Sequence, residues 1–223
     1  MAFRLSNGSL VIGRFRGAPI RIHWSVPIGV LVFTGFRFAP GAWLGFVLVI
    51  LLHELGHAIA VARCRQKTVA IDVHGFGGLC WWSGYPTPTE RAIIAWGGVI
   101  AQAVLFLTTL VVLSLTGRPS NAFEADLVGA FLGPNLWNIA LNLVPIPPLD
   151  GAEAWKILPI LASRARKRRE ERAARARAKT TQRTLRSLDE LDELPPMPDE
   201  VKRVLDRVMR DGRAQYEAEK KTK

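Results

Sequence analysis

The sequence predicts an all-α polytopic membrane protein of about four transmembrane helices, with a small membrane-associated β-hairpin and a short helical cytoplasmic tail. Three observations predict it. Residues 92–116 run 25 positions without a charge, more than the ~20 apolar residues that carry a helix across a bilayer core. The chain is 49% hydrophobic with mean hydropathy +0.15, yet its net charge is +11. That charge is segregated. Residues 1–162 hold 11 Lys+Arg and 7 Asp+Glu, a net of +4; residues 163–223 hold 19 and 12, a net of +7. The division predicts a transmembrane core over 1–162 and a charged helical cytoplasmic tail over 163–223.

The elements follow in chain order. The opening stretch, MAFRLSNGSLVIGRFRG, has no continuous apolar run, so no cleavable signal peptide is expected. Residues 24–38 (WSVPIGVLVFTGFRF) form the shortest apolar run and need Arg37 to snorkel at one end. Residues 42–62 form the second run. Residues 68–84 alternate in VAIDVHG, then turn through glycines into Trp81 and Trp82. They read as a strand, a Gly-rich turn and interfacial aromatics. Residues 92–116 are the third run, and residues 125–147 the fourth, interrupted by polar groups. Gly97 and Gly98 suit close helix packing.

Basic residues orient the runs. Arg4, Arg14, Arg16 and Arg21 precede the first; Arg63, Arg65, Lys67 and Arg91 lie between the second and third; the tail follows the fourth. Only Arg37 and Arg118 fall on the other side. The positive-inside rule then puts both termini in the cytoplasm of a multi-pass protein; the membrane expected for it is a bacterial or archaeal cell membrane. Cys64 and Cys80 are too few for a disulfide framework.

The second run contains LVILLHELGHAIAVA, with two histidines and a glutamate among lipid-compatible residues. On a helix, His53 and His57 project from one face and reach one ion, and Glu54, turned by about 100°, flanks the same site. One zinc ion suits two imidazole nitrogens and a carboxylate with a fourth position for water. A pair of hydrogen-bonded core histidines would show the same spacing. However, each ionisable group in mid-bilayer costs about 3 kcal/mol on insertion scales, and three together at ligand spacing call for a purpose. Asp150 closes the fourth run in NLVPIPPLDGAEAW, at its cytoplasmic end, at the depth of the histidines. Standing alone, this Pro-Pro-x-Asp-Gly would be a turn that stops a helix. Beside the histidines, Asp150 is the expected third ligand.

HELGH on a membrane helix, followed some ninety residues later by NLVPIPPLDG, resembles the site-2 protease family of intramembrane zinc metalloproteases. GAPIRIHWS (residues 17–25) and FGGL (residues 76–79) are similar to that family too. The resemblance covers roughly residues 18–160. It implies His53, His57 and Asp150 as zinc ligands, Glu54 as catalytic base, and Asn142 as a residue that places substrate and stabilises the oxyanion. It implies regulated intramembrane proteolysis, with a substrate that is a membrane protein carrying a transmembrane segment. One departure stands out: where many members read A-G-P-x-x-N, this chain reads WGGVIAQ, ending in Gln102.

Asn135, Asn138 and Asn142 form a polar stripe on one face of the fourth run. Asn142, nearest Asp150, is the functional member, and the other two are interhelical hydrogen-bond formers. Residues Gly75, Phe76, Gly77 and Gly78 have two readings: a strand edge that pairs with an unwound substrate, or a hairpin resting on the bilayer surface. His23 and His74 lack partners at ligand spacing and read as structural.

Two other functions fit parts of the pattern. A catalytically inactive, metal-stabilised scaffold that binds single-span helices would keep the histidines but have no use for Glu54. A metal transporter would need ligands along a path, and residues 42–52 and 92–116 contain no His, Cys, Asp or Glu. The tail is helix-prone over residues 163–194, broken at PPMP (195–198), and helical again from Asp199 with an apolar stripe at Val201, Val204, Leu205 and Val208. Its basic part suits anionic lipid or a partner protein. The lack of aromatics over residues 156–215 argues against nucleic acid.

Overall fold

The structure is a computed structural model, and it describes residues 5–6, 8–192 and 197–221. The chain divides into two compact units, Met1–Arg164 and Ala165–Lys223. In the first unit the strands β1 (Leu5–Ser6), β2 (Ser9–Phe15) and β3 (Ala18–His23) precede the helices α1 (Val26–Phe33) and α2 (Pro40–Arg63). Strands β4 (Lys67–His74) and β5 (Gly77–Ser83) follow, then α3 (Pro88–Thr116), α4 (Ala122–Asn142) and the short α5 (Gly151–Ala154); α6 (Ile157–Asp192) begins in the first unit, and most of its residues belong to the second. Helix α7 (Asp199–Lys221) lies in the second unit.

The protein is mostly helical but not all-α. Its strands form one sheet in the order β1-β2-β3-β4-β5. The expected hairpin is β4–β5, paired antiparallel from Lys67↔Ser83 to His74↔Gly77. The N-terminal strands join it through a parallel β3–β4 pairing, Ile20↔Ile71 to Ile22↔Val73. Pairing between segments fifty residues apart leaves no local signature, although SLVIGRF and APIRIH alternate enough to suggest strands. Arg21 and Asp72 sit opposite each other and form a bidentate ion pair, Nε–Oδ1 2.5 Å and Nη2–Oδ2 2.8 Å. Trp81 Nε1 also donates to Asp72 Oδ2 at 2.8 Å, so one carboxylate ties β3, β4 and β5 together.

Two described helices are long and apolar enough to cross a membrane: α2, mean hydropathy 2.0, and α3, 2.3. Helix α3 starts at a capping box, in which Thr87 Oγ1 accepts from Glu90 N–H and Glu90 Oε2 accepts from Thr87 N–H. It buries small residues such as Ala92, Ala95 and Gly98 and exposes Ile100, Val104, Leu107, Val111 and Leu115. Small residues inside and large aliphatics outside are the signature of a helix packed on helices and wetted by lipid. At the α2–α3 contact a Cβ on Gly56 would come 2.3 Å from the Gly97 carbonyl oxygen, so both backbones need glycine there.

The first apolar run departs from expectation. Only Val26–Phe33 is helical, about 12 Å of helix, well short of a ~30 Å hydrocarbon core. Val73, near the end of β4, packs with Val26, Val30 and Ile50 in one buried cluster. The sheet therefore reaches down to the level of Ile50, in the middle of α2. From there to the start of α2 at Pro40 is about 15 Å of helix, close to the length that α1 supplies.

Helix α4 has 21 residues with Pro134 inside, and Asn121 Oδ1 caps its start by accepting from Glu124 N–H at 2.9 Å. In the second unit, α7 begins at Asp199, and Val201, Val204, Leu205 and Val208 are exposed along it. Of the expected PPMP break, Pro195 and Pro196 lie outside the described residues.

Candidate metal centre

Helix α2 puts His53 and His57 four residues apart on the face that packs against α3, and both are buried. Asp150 arrives from the turn after α4, and that turn is held from three sides. A Cβ on Gly151 would lie 2.4 Å from the Val144 carbonyl oxygen, so the chain folds back on itself only with glycine there. Trp155 Nε1 donates to the Leu143 carbonyl at 2.7 Å, and Trp96 Nε1 on α3 donates to the Ala154 carbonyl at 3.0 Å. The indole rings of Trp96 and Trp155 meet edge to face at 5.5 Å.

These supports bring three ligand atoms to one point. His53 Nε2 and His57 Nε2 are 3.0 Å apart, and Asp150 Oδ2 lies 3.0 Å from the first and 3.1 Å from the second. A tetrahedral ion with bonds of about 2.0–2.1 Å holds its ligands about 3.3 Å from one another, so the triangle has the size of a zinc-like site. The hydrogen-bond partners of the rings point the same way. His57 Nδ1 lies 2.7 Å from the Ile94 carbonyl and His53 Nδ1 lies 3.1 Å from Gln102 Oε1. Each Nδ1 faces an oxygen acceptor, which suits the tautomer that keeps its proton there and turns the Nε2 lone pair to the common point, as metal-binding imidazoles require.

Glu54 is buried beside the triangle and turned towards β5: a Cβ on Gly78 would lie 2.6 Å from its Oε1. Strand β5 ends the sheet, so one of its edges carries no partner strand among the described residues. Of the four residues expected to pair with substrate, Gly77 and Gly78 open this strand, and Phe76 is an exposed turn residue. Gly75 is buried against Ser25 and Gly29, and its N–H donates to Ser25 Oγ at 3.1 Å.

Asn142 Nδ2 donates to Asn138 Oδ1 at 3.1 Å, within the last turn of α4. Asn135 makes the expected interhelical bond, donating to the Gln102 carbonyl at 3.0 Å. Sequence reasoning missed Gly98. A Cβ there would lie 2.5 Å from His53 Cε1 and from His57 Nε2, so this glycine makes room for the ligand rings rather than for a neighbouring backbone. Gln102, one turn further along α3, stands out in the sequence only as a departure from a family pattern. The pair Gly98…Gln102 at helical spacing, facing the histidine face of α2, was the available signal.

Comparison with known proteins places the chain in a family. Residues 28–139, half of the chain, match the Peptidase M50B-like family, and the chain belongs to that family. Rip3 of Mycobacterium tuberculosis, named as a zinc metalloprotease, is 28% identical over 165 residues, covering 65% of this chain and 42% of that protein. The zinc metalloprotease MJ0392 of Methanocaldococcus jannaschii is 26% identical over 161 residues, 66% of this chain and 44% of that protein. The chain thus spans under half the length of either relative. A solved structure, the site-2 protease from Methanocaldococcus jannaschii, shares the fold: TM-score 0.51, 22% identity, 70% of this chain and 72% of that one.

Proposed function

We propose that this protein is an intramembrane zinc endopeptidase that hydrolyses peptide bonds in or near the transmembrane segments of membrane proteins. The observation that carries the reading is the convergence of His53, His57 and Asp150 on one point, with a buried carboxylate, Glu54, between that point and an open strand edge. The donor set suits zinc, which supplies Lewis acidity: it polarises a carbonyl and acidifies water to a pKa of about 7.

The chain's own residues do the rest. Glu54 accepts a proton from the attacking water and returns it to the leaving amide nitrogen. The free edge of β5 holds an unwound substrate extended by main-chain hydrogen bonds, because a helical peptide bond is shielded by its neighbours. Asn142 turns its amide towards the oxyanion after release from Asn138. A cavity of about 610 Å³ lies between α1, α2 and α4 and reaches Phe76 and Gly77, which offers an apolar route for a substrate helix to the strand edge.

In the membrane, α2, α3 and α4 each cross, and the sheet and α1 complete a fourth passage between them. Both termini face the cytoplasm, where the basic residues gather. The basic stretch of α6 meets anionic headgroups or a partner protein.

The test compares purified parent and Glu54→Gln side by side, by metal analysis and by cleavage of candidate single-span proteins. Glu54→Gln keeps zinc and loses about 10²-fold or more in kcat. Cleavage by that variant at the parental rate would overturn the assignment.

A further inference from the structure

Two buried side-chain atoms stand unpartnered among the described residues, Gln102 Nε2 and Asn135 Oδ1. Both residues are fully enclosed, at 0% exposure. An unpaired buried amide group is costly, because it gives up its hydrogen bond to water and gains none in return. A leucine in place of Gln102 would fill similar space between three apolar helices without that cost. The glutamine is therefore expensive at this position unless its amide oxygen has work to do.

That oxygen lies 3.1 Å from His53 Nδ1. An imidazole that aims the Nε2 lone pair at an ion must keep its proton on Nδ1, and a buried N–H needs an acceptor. His57 uses a backbone carbonyl, that of Ile94. His53 uses Gln102. The reversed amide would present NH2 to Nδ1 and push the ring proton onto Nε2, inside the ligand triangle. The observed orientation is the one that opens Nε2. Gln102 is braced in turn from α4: Asn135 Nδ2 donates to the Gln102 carbonyl at 3.0 Å and to the Phe131 carbonyl at 3.1 Å.

We propose that Gln102 is a positioning residue for His53: its amide oxygen fixes the imidazole tautomer and ring orientation, and Asn135 anchors it across the α3–α4 contact. Three membrane helices thereby converge on one metal ligand. The inference rests on the metal-site reading above, and its test separates the two.

The full-length parent and the variants Gln102→Leu, Gln102→Glu and Asn135→Leu are loaded with zinc in detergent. Affinity is read by competition with a chelator, and the fold by thermal unfolding. The His53 tautomer is read in the metal-free proteins from imidazole ¹⁵N shifts. Gln102→Leu lowers zinc affinity about 10–100-fold and mixes the His53 tautomers, whereas Gln102→Glu, which keeps an acceptor, stays within about threefold of the parent. Asn135→Leu weakens zinc in the same direction by a smaller factor. If Gln102→Leu does not fold, Gln102→Met keeps the side-chain length and carries the same comparison. Parental affinity and tautomer in a folded variant without the acceptor would overturn the proposal and leave the metal site standing. A parent that binds no zinc overturns both.

Discussion

At the scale of the residue, two neighbouring glycines on α3 do different things. A Cβ on Gly97 would lie 2.6 Å from the Gly56 carbonyl oxygen of α2, whereas one on Gly98 would enter the space of both histidine rings. Gly97→Ala therefore forces two helices apart, and Gly98→Ala displaces ligands. The expected outcomes differ accordingly. Gly97→Ala lowers the melting temperature by an amount typical of an overpacked contact, about 1–3 kcal/mol, and retains zinc. Gly98→Ala loses zinc affinity by about tenfold or more, on the scale of lost ligand support, which a chelator titration reads. Histidines, glutamate and aspartate were legible in the sequence because their cost in an apolar run demands a reason. Gly98 and Gln102 were not, because a glycine or an amide in a membrane helix has many innocent uses. Only its neighbour across the helix contact says which one applies.

At the scale of the element, the sheet is the part that sequence reading most understated. Strand β4 alternates well enough to be found, but β2 and β3 lie before the first apolar run, and their place beside β4 is set by a parallel pairing across fifty residues. The Arg21–Asp72 pair marks that register. Asp72 holds the Arg21 guanidinium above its ordinary pKa through their hydrogen bonds. Arg21→Leu leaves a mostly buried carboxylate with Trp81 alone, and costs about 1–3 kcal/mol. Arg21→Leu with Asp72→Leu together should recover part of that loss, and thermal unfolding of the single and double variants measures it. Strand β5 offers a second prediction. Gly78→Val puts a branched side chain against Glu54. The variant keeps zinc but loses cleavage by about 10²-fold, as misplacement at a reacting centre does, and paired metal and activity assays read the two apart.

At the scale of the whole molecule, the charge distribution and the apolar helices set an orientation that labelling can check. With Cys64 and Cys80 replaced, a cysteine at Arg118 reacts with an impermeant reagent from outside intact cells, and one at Thr181 reacts only after the membrane is opened. Labelling of both from the same side contradicts the topology proposed from the positive-inside rule. In the proposed topology the first passage is the unusual one. Non-helical backbone at membrane depth survives only where protein or a wet cavity covers it. Helices α2 and α1 cover one end of the sheet, through Ile50, Val26, Val30 and Val73.

The sequence by itself determined the apolar crossings α2 and α3, the HELGH face, the arrival of an aspartate at the same depth, and the charged tail. Each of these is a local pattern or a sum over neighbouring residues, which composition and periodicity carry in full. Tertiary structure alone decided that the first apolar run stops after eight helical residues, that among the described residues five strands rather than two make the sheet, and that β5 is its open edge there. It also decided that Gln102 faces His53. Those features depend on which distant segments pack together, and hydrogen bonding and close contact between remote stretches of chain leave no mark on the residues nearby.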